Sequence, residues 1–87
     1  MNFMVSELKK QILSGRKVKT FEVLRFPDVD TNKPVYSLTV AFEDGERSDV
    51  WTQRLEMKTY IKLDSVFADI KAISGFLAFT VAYRDVF

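Results

Sequence analysis

Residues 36–51 read YSLTVAFEDGERSDVW, and this stretch decides the fold. Its first half alternates large apolar side chains with small or polar ones, a period of two that is typical of a half-buried strand. The run Glu43-Asp44-Gly45-Glu46 follows. Asp-Gly is a hairpin signal because glycine adopts a positive φ without a steric penalty. Residues 47–54 are therefore predicted to return as the neighbouring antiparallel strand.

Two further strands are predicted on either side of this hairpin. Residues 16–26 (RKVKTFEVLRF) are rich in Val, Thr and Phe, and Pro27 ends the strand because it has no N–H to donate to a sheet. Both faces of that strand are mixed, so the pattern leaves its buried side open. A tight turn near residues 55–57 leads to a short strand over residues 58–62.

Apolar spacing of three and four residues predicts two helices. The first covers residues 3–14, with Met4, Leu8 and Ile12 on one stripe and Gly15 just beyond its end. The second begins at Leu63-Asp64-Ser65, with Asp64 or Ser65 as the N-cap, and it ends at Gly75. The residues predicted to form its apolar face are Val66, Phe67, Ile70 and Ile73.

The chain ends in a second alternating pattern, in which Leu77, Phe79, Val81 and Tyr83 are separated by Ala78, Thr80 and Ala82. This pattern predicts a last strand. The order α-β-β-β-β-α-β leaves a sheet as the only large apolar surface on which both helices can pack. We therefore predict a single α+β domain over residues 1–87. It has two layers: a mainly antiparallel sheet of about five strands, and two helices.

Composition excludes several classes of function. The 87 residues contain no Cys and no His, so there are no disulfides, no thiolate nucleophile and no imidazole base or metal ligand. No apolar run approaches the roughly 20 residues of a membrane-spanning helix. We expect a cytoplasmic protein that is not an enzyme, holds no metal or cofactor, and has no membrane partner.

Short acidic motifs do not change that expectation. Asp28, Asp30 and Asn32 imitate the opening of a calcium loop, but Lys33 stands where such a loop requires glycine and Thr39 where it requires glutamate. An Asx-rich turn between two prolines explains the motif better.

Charge is unevenly distributed along the chain. Residues 1–20 carry five basic side chains and one acidic, whereas residues 26–50 carry two basic and six acidic. Such polarity can orient a partner or a second copy of the chain, although solvated faces and turns also explain it.

Basic and aromatic residues interleave on the predicted strands, a pattern typical of surfaces that bind single-stranded nucleic acid. If the first strand is regular, the lysines at positions 17 and 19 share one face with Phe21 and Arg25. The candidate nucleic-acid-binding residues are Lys17, Lys19, Arg54, Lys58, Lys62, Trp51 and Tyr60. In the alternative interpretation, the rings lie in the core and the lysines in solvent.

A second hypothesis is protein–protein interaction or self-assembly. Edge strands can pair with another chain, and Val86 and Phe87 form an apolar tail that a dimer would bury. The predicted partners are therefore DNA or another protein, and we expect a homo-oligomer.

The segment from Thr52 to Ser65, TQRLEMKTYIKLDS, followed by Ile70, Ile73 and FTV at 79–81, resembles a pattern in short proteins of bacterial plasmids, prophages and integrative elements. In that pattern a Thr-x-Arg-Gly hairpin leads to a basic residue, an aromatic, Leu-Asp, a helix ending near Gly, and a strand. The resemblance covers about the last 40 residues. Leu55 stands where the turn glycine is expected. The resemblance implies an accessory protein of a mobile element, and it assigns no functional residues. Together with the absent catalytic chemistry and the charge polarity, it leads us to expect a non-catalytic binding module that acts on nucleic acid or on a protein encoded by the host or the element.

Overall fold

The computed structural model describes residues 2–75 and 79–86. It contains two helices and a five-stranded mixed sheet, which confirms the predicted α+β class. In chain order the elements are α1 (Val5–Leu13), β1 (Val18–Pro27), β2 (Pro34–Phe42), β3 (Arg47–Asp49), β4 (Thr59–Tyr60), α2 (Leu63–Ser74) and β5 (Val81–Asp85). No helix in this part of the chain has the length and apolar character needed to cross a bilayer.

Strand β2 lies at the centre of the sheet. It pairs antiparallel with β1 on one side, and with both β3 and β4 on the other. β5 lies beyond β1 and runs parallel to it, so the spatial order is β3-β2-β1-β5. The predicted alternation is confirmed from Leu38 onward, because Leu38, Val40 and Phe42 are all buried, whereas at the start of the strand Ser37 is buried and Tyr36 is half-buried. The hairpin at Gly45 also forms, with a φ of 93°.

The edge of the sheet beside β2 is one strand interrupted by an excursion. β3 pairs with residues 39–41 of β2, and β4 continues the same edge opposite Tyr36 and Ser37. Between them the chain leaves the sheet as a hairpin in which Trp51 pairs with Met57. The strand predicted over residues 47–54 is therefore shorter, because its second half pairs within this hairpin instead of with β2. For the same reason the strand predicted over residues 58–62 retains only two residues.

Both helices pack on one face of the sheet. The β1–β2 register places Phe21 beside Val40 and Val23 beside Leu38, and these side chains join one core cluster with Leu8 of α1. The α2 residues of that cluster are Val66, Ile70 and Ile73. Phe67, predicted on the same apolar face, is 38 % exposed. That prediction was wrong because Phe67 lies about 100° further round the helix than Val66.

Both helices end at the predicted glycines, but the second helix does not begin at its predicted N-cap. Gly15 has a φ of 102° and donates to the carbonyl of Ile12, while the N–H of Arg16 donates to Gln11, so α1 ends in a Schellman motif. Gly75 ends α2 with a φ of 66°. The N-cap of α2 is Lys62, which corrects the predicted cap: the helix begins earlier, and Asp64 lies within its first turn.

The last strand is displaced from its prediction. β5 begins at Val81 and continues to Asp85, where a 3.0 Å ion pair joins it to Arg25. Phe79 and Thr80 precede the strand. Leu77 and Ala78, which belong to the predicted pattern, lie outside the described residues.

A partly buried polar contact connects β4 to α2. The Tyr60 hydroxyl donates to Asp69 Oδ2 at 2.5 Å, and Lys58 Nζ lies 2.7 Å from the same oxygen. Tyr60 is 4 % exposed. Burial, and then the bond to Asp69, raise the pKa of Tyr60 well above its ordinary value.

We expect Tyr60→Phe to lower the free energy of unfolding by about 1–2 kcal/mol at pH 7, because it removes a hydrogen bond to a charged group. Since the folded state holds the tyrosine proton more tightly than the unfolded state, this stabilisation is complete below about pH 10 and is lost as the pH rises further. Urea unfolding of both proteins at pH 7 and pH 11 measures it. The difference between wild type and variant should shrink by about 1.4 kcal/mol between the two pH values, and a constant difference contradicts the assignment.

Candidate functional site

The structure separates the predicted nucleic-acid-binding residues into two groups. Glu43, which follows the end of β2, donates its backbone N–H to the carbonyl of Lys17 at 3.0 Å. Tyr60 pairs instead with Tyr36. Tyr36 lies six residues before Phe42, the last residue of β2, and six residues of strand span about 20 Å. Lys17 and Lys19 therefore lie at one end of the sheet, and the other five residues lie towards the opposite end.

The first strand is not regular where the lysines lie. Val18 pairs with Phe42 and Thr20 with Ala41, so Lys19 is an extra residue in a bulge. The regular strand on which the expectation of a face shared with Phe21 and Arg25 depended therefore does not form at Lys19, although Lys17, Lys19 and Phe21 border one concavity. Lys17 and Lys19 are nevertheless both exposed.

Two members of the second group, Tyr60 and Lys58, make contacts within the protein. Tyr60 faces the helices, so the prediction that its ring stacks on bases was wrong. Lys58 pairs with Asp69 at 2.7 Å and lies 5.1 Å from the centroid of the Tyr60 ring. Its charge is therefore largely satisfied by neighbours.

The remaining three residues lie away from Lys17 and Lys19. Arg54 and Lys62 are exposed. Trp51 is half-buried, and its indole Nε1 is buried without a hydrogen-bond partner. The predicted basic and aromatic face is therefore not one continuous surface.

The charge polarity of the sequence is partly neutralised within the chain. Arg16, just after α1, lies 3.0 Å from Asp44 and 2.9 Å from Glu46 in the β2–β3 hairpin. Its guanidinium also lies 3.6 Å from the centroid of the Phe42 ring. The backbone N–H of Glu46, together with Arg16, holds the pKa of Asp44 below its ordinary value. These contacts tie the basic N-terminal segment to the acidic turn.

The face of the sheet opposite the helices is covered by neither helix. Register places alternate residues of β1, β2, β3 and β5 on this side, around a shallow concavity of about 410 Å³. We call this surface the open sheet face. Its chemistry depends on Glu22, Leu24, Phe26, Arg47, Asp49, Met57 and Arg84.

Apolar side chains occupy part of the open sheet face, and balanced charges accompany them. Leu24 and Phe26 are half-buried and Met57 is 40 % exposed. Glu22 Oε2 forms a 2.5 Å ion pair with Arg47, and Asp49 accepts a 2.7 Å hydrogen bond from Thr39. Two acidic and two basic side chains cancel, so this face attracts no polyanion through its net charge.

Sequence reasoning left this surface unassigned. The signal was present in β1, where Leu24 and Phe26 have the opposite parity to Phe21 and Val23. Because both faces of β1 carry apolar residues, the sequence pattern does not show which face is buried. That choice depends on where the helices pack.

Other kinds of site have little support in residues 2–75 and 79–86. That part of the chain contains no group of three or more acidic side chains placed to hold a metal ion. Of the predicted apolar tail, Val86 is 54 % exposed and its N–H donates to the Arg25 carbonyl, while Phe87 lies outside the described residues.

Comparison with known proteins adds no relative: no family model, no curated protein and no solved structure matches the chain.

The hairpin between β3 and β4 contains a strained residue. Leu55 has a φ of 60° and is 76 % exposed, so neither its backbone nor its side chain is favourable there. The hairpin nevertheless closes, with the N–H of Leu55 donating to Thr52 at 3.0 Å and the N–H of Thr52 donating to Glu56 at 2.8 Å.

We expect Leu55→Gly to raise the free energy of unfolding by about 0.5–1 kcal/mol, because glycine relieves the left-handed strain by more than it adds unfolded-state entropy. Leu13→Gly is the matched control. Leu13 is 77 % exposed but helical, so the same change should cost up to about 1 kcal/mol. Denaturant titration of both variants measures the effect, and a loss of stability at position 55 contradicts the strain.

Proposed function

We propose that this protein is a non-catalytic interaction module that pairs with a second copy of itself through the open sheet face. The observation that carries the proposal is that α1 and α2 both pack on one side of the sheet and leave Leu24, Phe26 and Met57 on the other. An apolar centre with polar and charged residues around it is the usual anatomy of a protein interface.

Charge complementarity favours a second copy as the occupant. β3 and β5 lie on opposite sides of the β2–β1 pair, with Asp49 on β3 and Arg84 on β5. A twofold axis parallel to the strands places β5 of one copy over β3 of the other, at the spacing of about 10 Å that is usual for packed sheets. Arg84, which makes no ion pair within the described residues, then faces the strand that carries the partner's Asp49.

Nucleic-acid binding is the weaker candidate. Lys17, Lys19, Arg54 and Lys62 are exposed, which favours it, but they are divided between the two ends of the sheet. The resemblance of the C-terminal half supports a role as an accessory protein of a bacterial plasmid, prophage or integrative element. We propose that role, in the cytoplasm, as the setting for the pairing.

We expect Leu24→Asp to weaken self-association at least tenfold, because the dimer would bury an unpaired carboxylate, whereas Leu13→Asp on α1 leaves association unchanged. Sedimentation equilibrium over a range of protein concentrations measures both. Arg84→Glu is a second test at an exposed position, where folding is little affected, and it should also weaken the dimer. A wild type that is monomeric throughout overturns the proposal, and so does a dimer that neither substitution on the open sheet face weakens.

Light scattering with a labelled 30-nucleotide single strand and duplex, at low and moderate salt, tests the other candidate. We expect no complex at moderate salt. A salt-sensitive complex that is weakened by Lys17→Gln and Lys62→Gln supports nucleic-acid binding instead.

A further inference from the structure

A second concavity lies on the helix side of the sheet, away from the open sheet face. It has a volume of about 410 Å³ and is bordered by the C-terminal ends of α1 and α2, the start of β1, and the pair Phe79 and Thr80. Ile12, Val18, Phe21 and Phe79 give it apolar walls. Phe21 and Phe79 meet edge to face, with their centroids 5.7 Å apart. Its size and lining are those of a small-molecule site.

Ser74, one of the residues that line this cavity, has a buried hydroxyl without a partner. Ser74 is 7 % exposed, and its Oγ is buried without a hydrogen bond. A helical serine ordinarily donates to the carbonyl four residues earlier, but Ser74 does not donate to that of Ile70. Buried polar atoms are almost always satisfied, so a ligand that enters the cavity and hydrogen-bonds this hydroxyl would give it the partner that the chain does not supply.

The remaining lining is mainly cationic. Lys17 and Lys19 border the cavity, are exposed, and make no ion pair in the described part of the chain. The bulge at Lys19 takes this residue out of the register of β1. Glu43 is the one carboxylate among the described lining residues, so these three charges leave a net positive cavity.

We propose that this cavity binds a small amphipathic anion, with an apolar body against Phe21 and Phe79, a hydrogen bond to Ser74, and a carboxylate facing Lys17 and Lys19. The proposal is independent of self-association, because the cavity lies on the helix side of the sheet and the open sheet face on the other. It also gives a role to Lys17 and Lys19, which lie far from the other basic residues proposed for nucleic-acid binding.

Octanoate and octanol are suitable probes, because they share a chain length and differ in charge. Isothermal titration of the wild type with octanoate should show saturable binding with a dissociation constant of about 1 mM or tighter. The double variant Lys17→Gln/Lys19→Gln should weaken octanoate binding at least fivefold and leave octanol binding unchanged. Lys62→Gln is the matched control, an exposed lysine outside the cavity, and it should change neither.

Ser74→Ala tests whether the hydroxyl contributes to binding or whether the probes are held by apolar contacts alone. It should weaken the binding of both probes if the hydroxyl contacts the ligand, and circular dichroism checks that the variant is folded. Absence of saturable octanoate binding overturns the proposal. An equal effect of Lys62→Gln and of the double variant also overturns it, since the attraction would then come from the charge of the whole protein.

Discussion

The fold depends on the burial of one face of β2. Leu38, Val40 and Phe42 are at most 2 % exposed, and β2 is paired with β1, β3 and β4. Because strand side chains alternate, a slip of one residue would turn this whole apolar set away from the helices. The register of the sheet and the side on which the helices pack are therefore decided together, by one alternating segment.

The open sheet face follows from that constraint. Two short helices, α1 and α2, are enough to cover one side of the sheet, and the chain contains no third helix in its described residues. The other side keeps Leu24 and Phe26 half-buried and carries charges of both signs. Many antiparallel sheets leave one face in water, where it is mostly polar. Here that face retains large apolar residues, and for this reason we assign it an interaction.

Most charged contacts in this structure hold elements together. Arg16 joins the end of α1 to the β2–β3 hairpin, Arg25 joins β1 to β5, and Asp69 joins α2 to the segment around β4. The chain is small, so a large share of its surface stays exposed and such contacts supplement a limited core. Lys17 and Lys19 differ, because they border a cavity and make no ion pair with any residue that the structure describes.

Local pattern alone determined the fold class, the helices, the central strand and the glycines that end both helices, because each depends on periodicity or on backbone conformation within a few residues. The candidate surfaces depended on long-range pairing. The bulge at Lys19 appears only in the pairing of β1 with β2, and Tyr60 is buried because it joins the core cluster that α2 covers. Basic and aromatic residues that alternate in the sequence therefore did not form one surface. Only the tertiary structure decided which side of β1 the helices cover, since Leu24 and Phe26 are as apolar as Phe21 and Val23, and only packing distinguishes them.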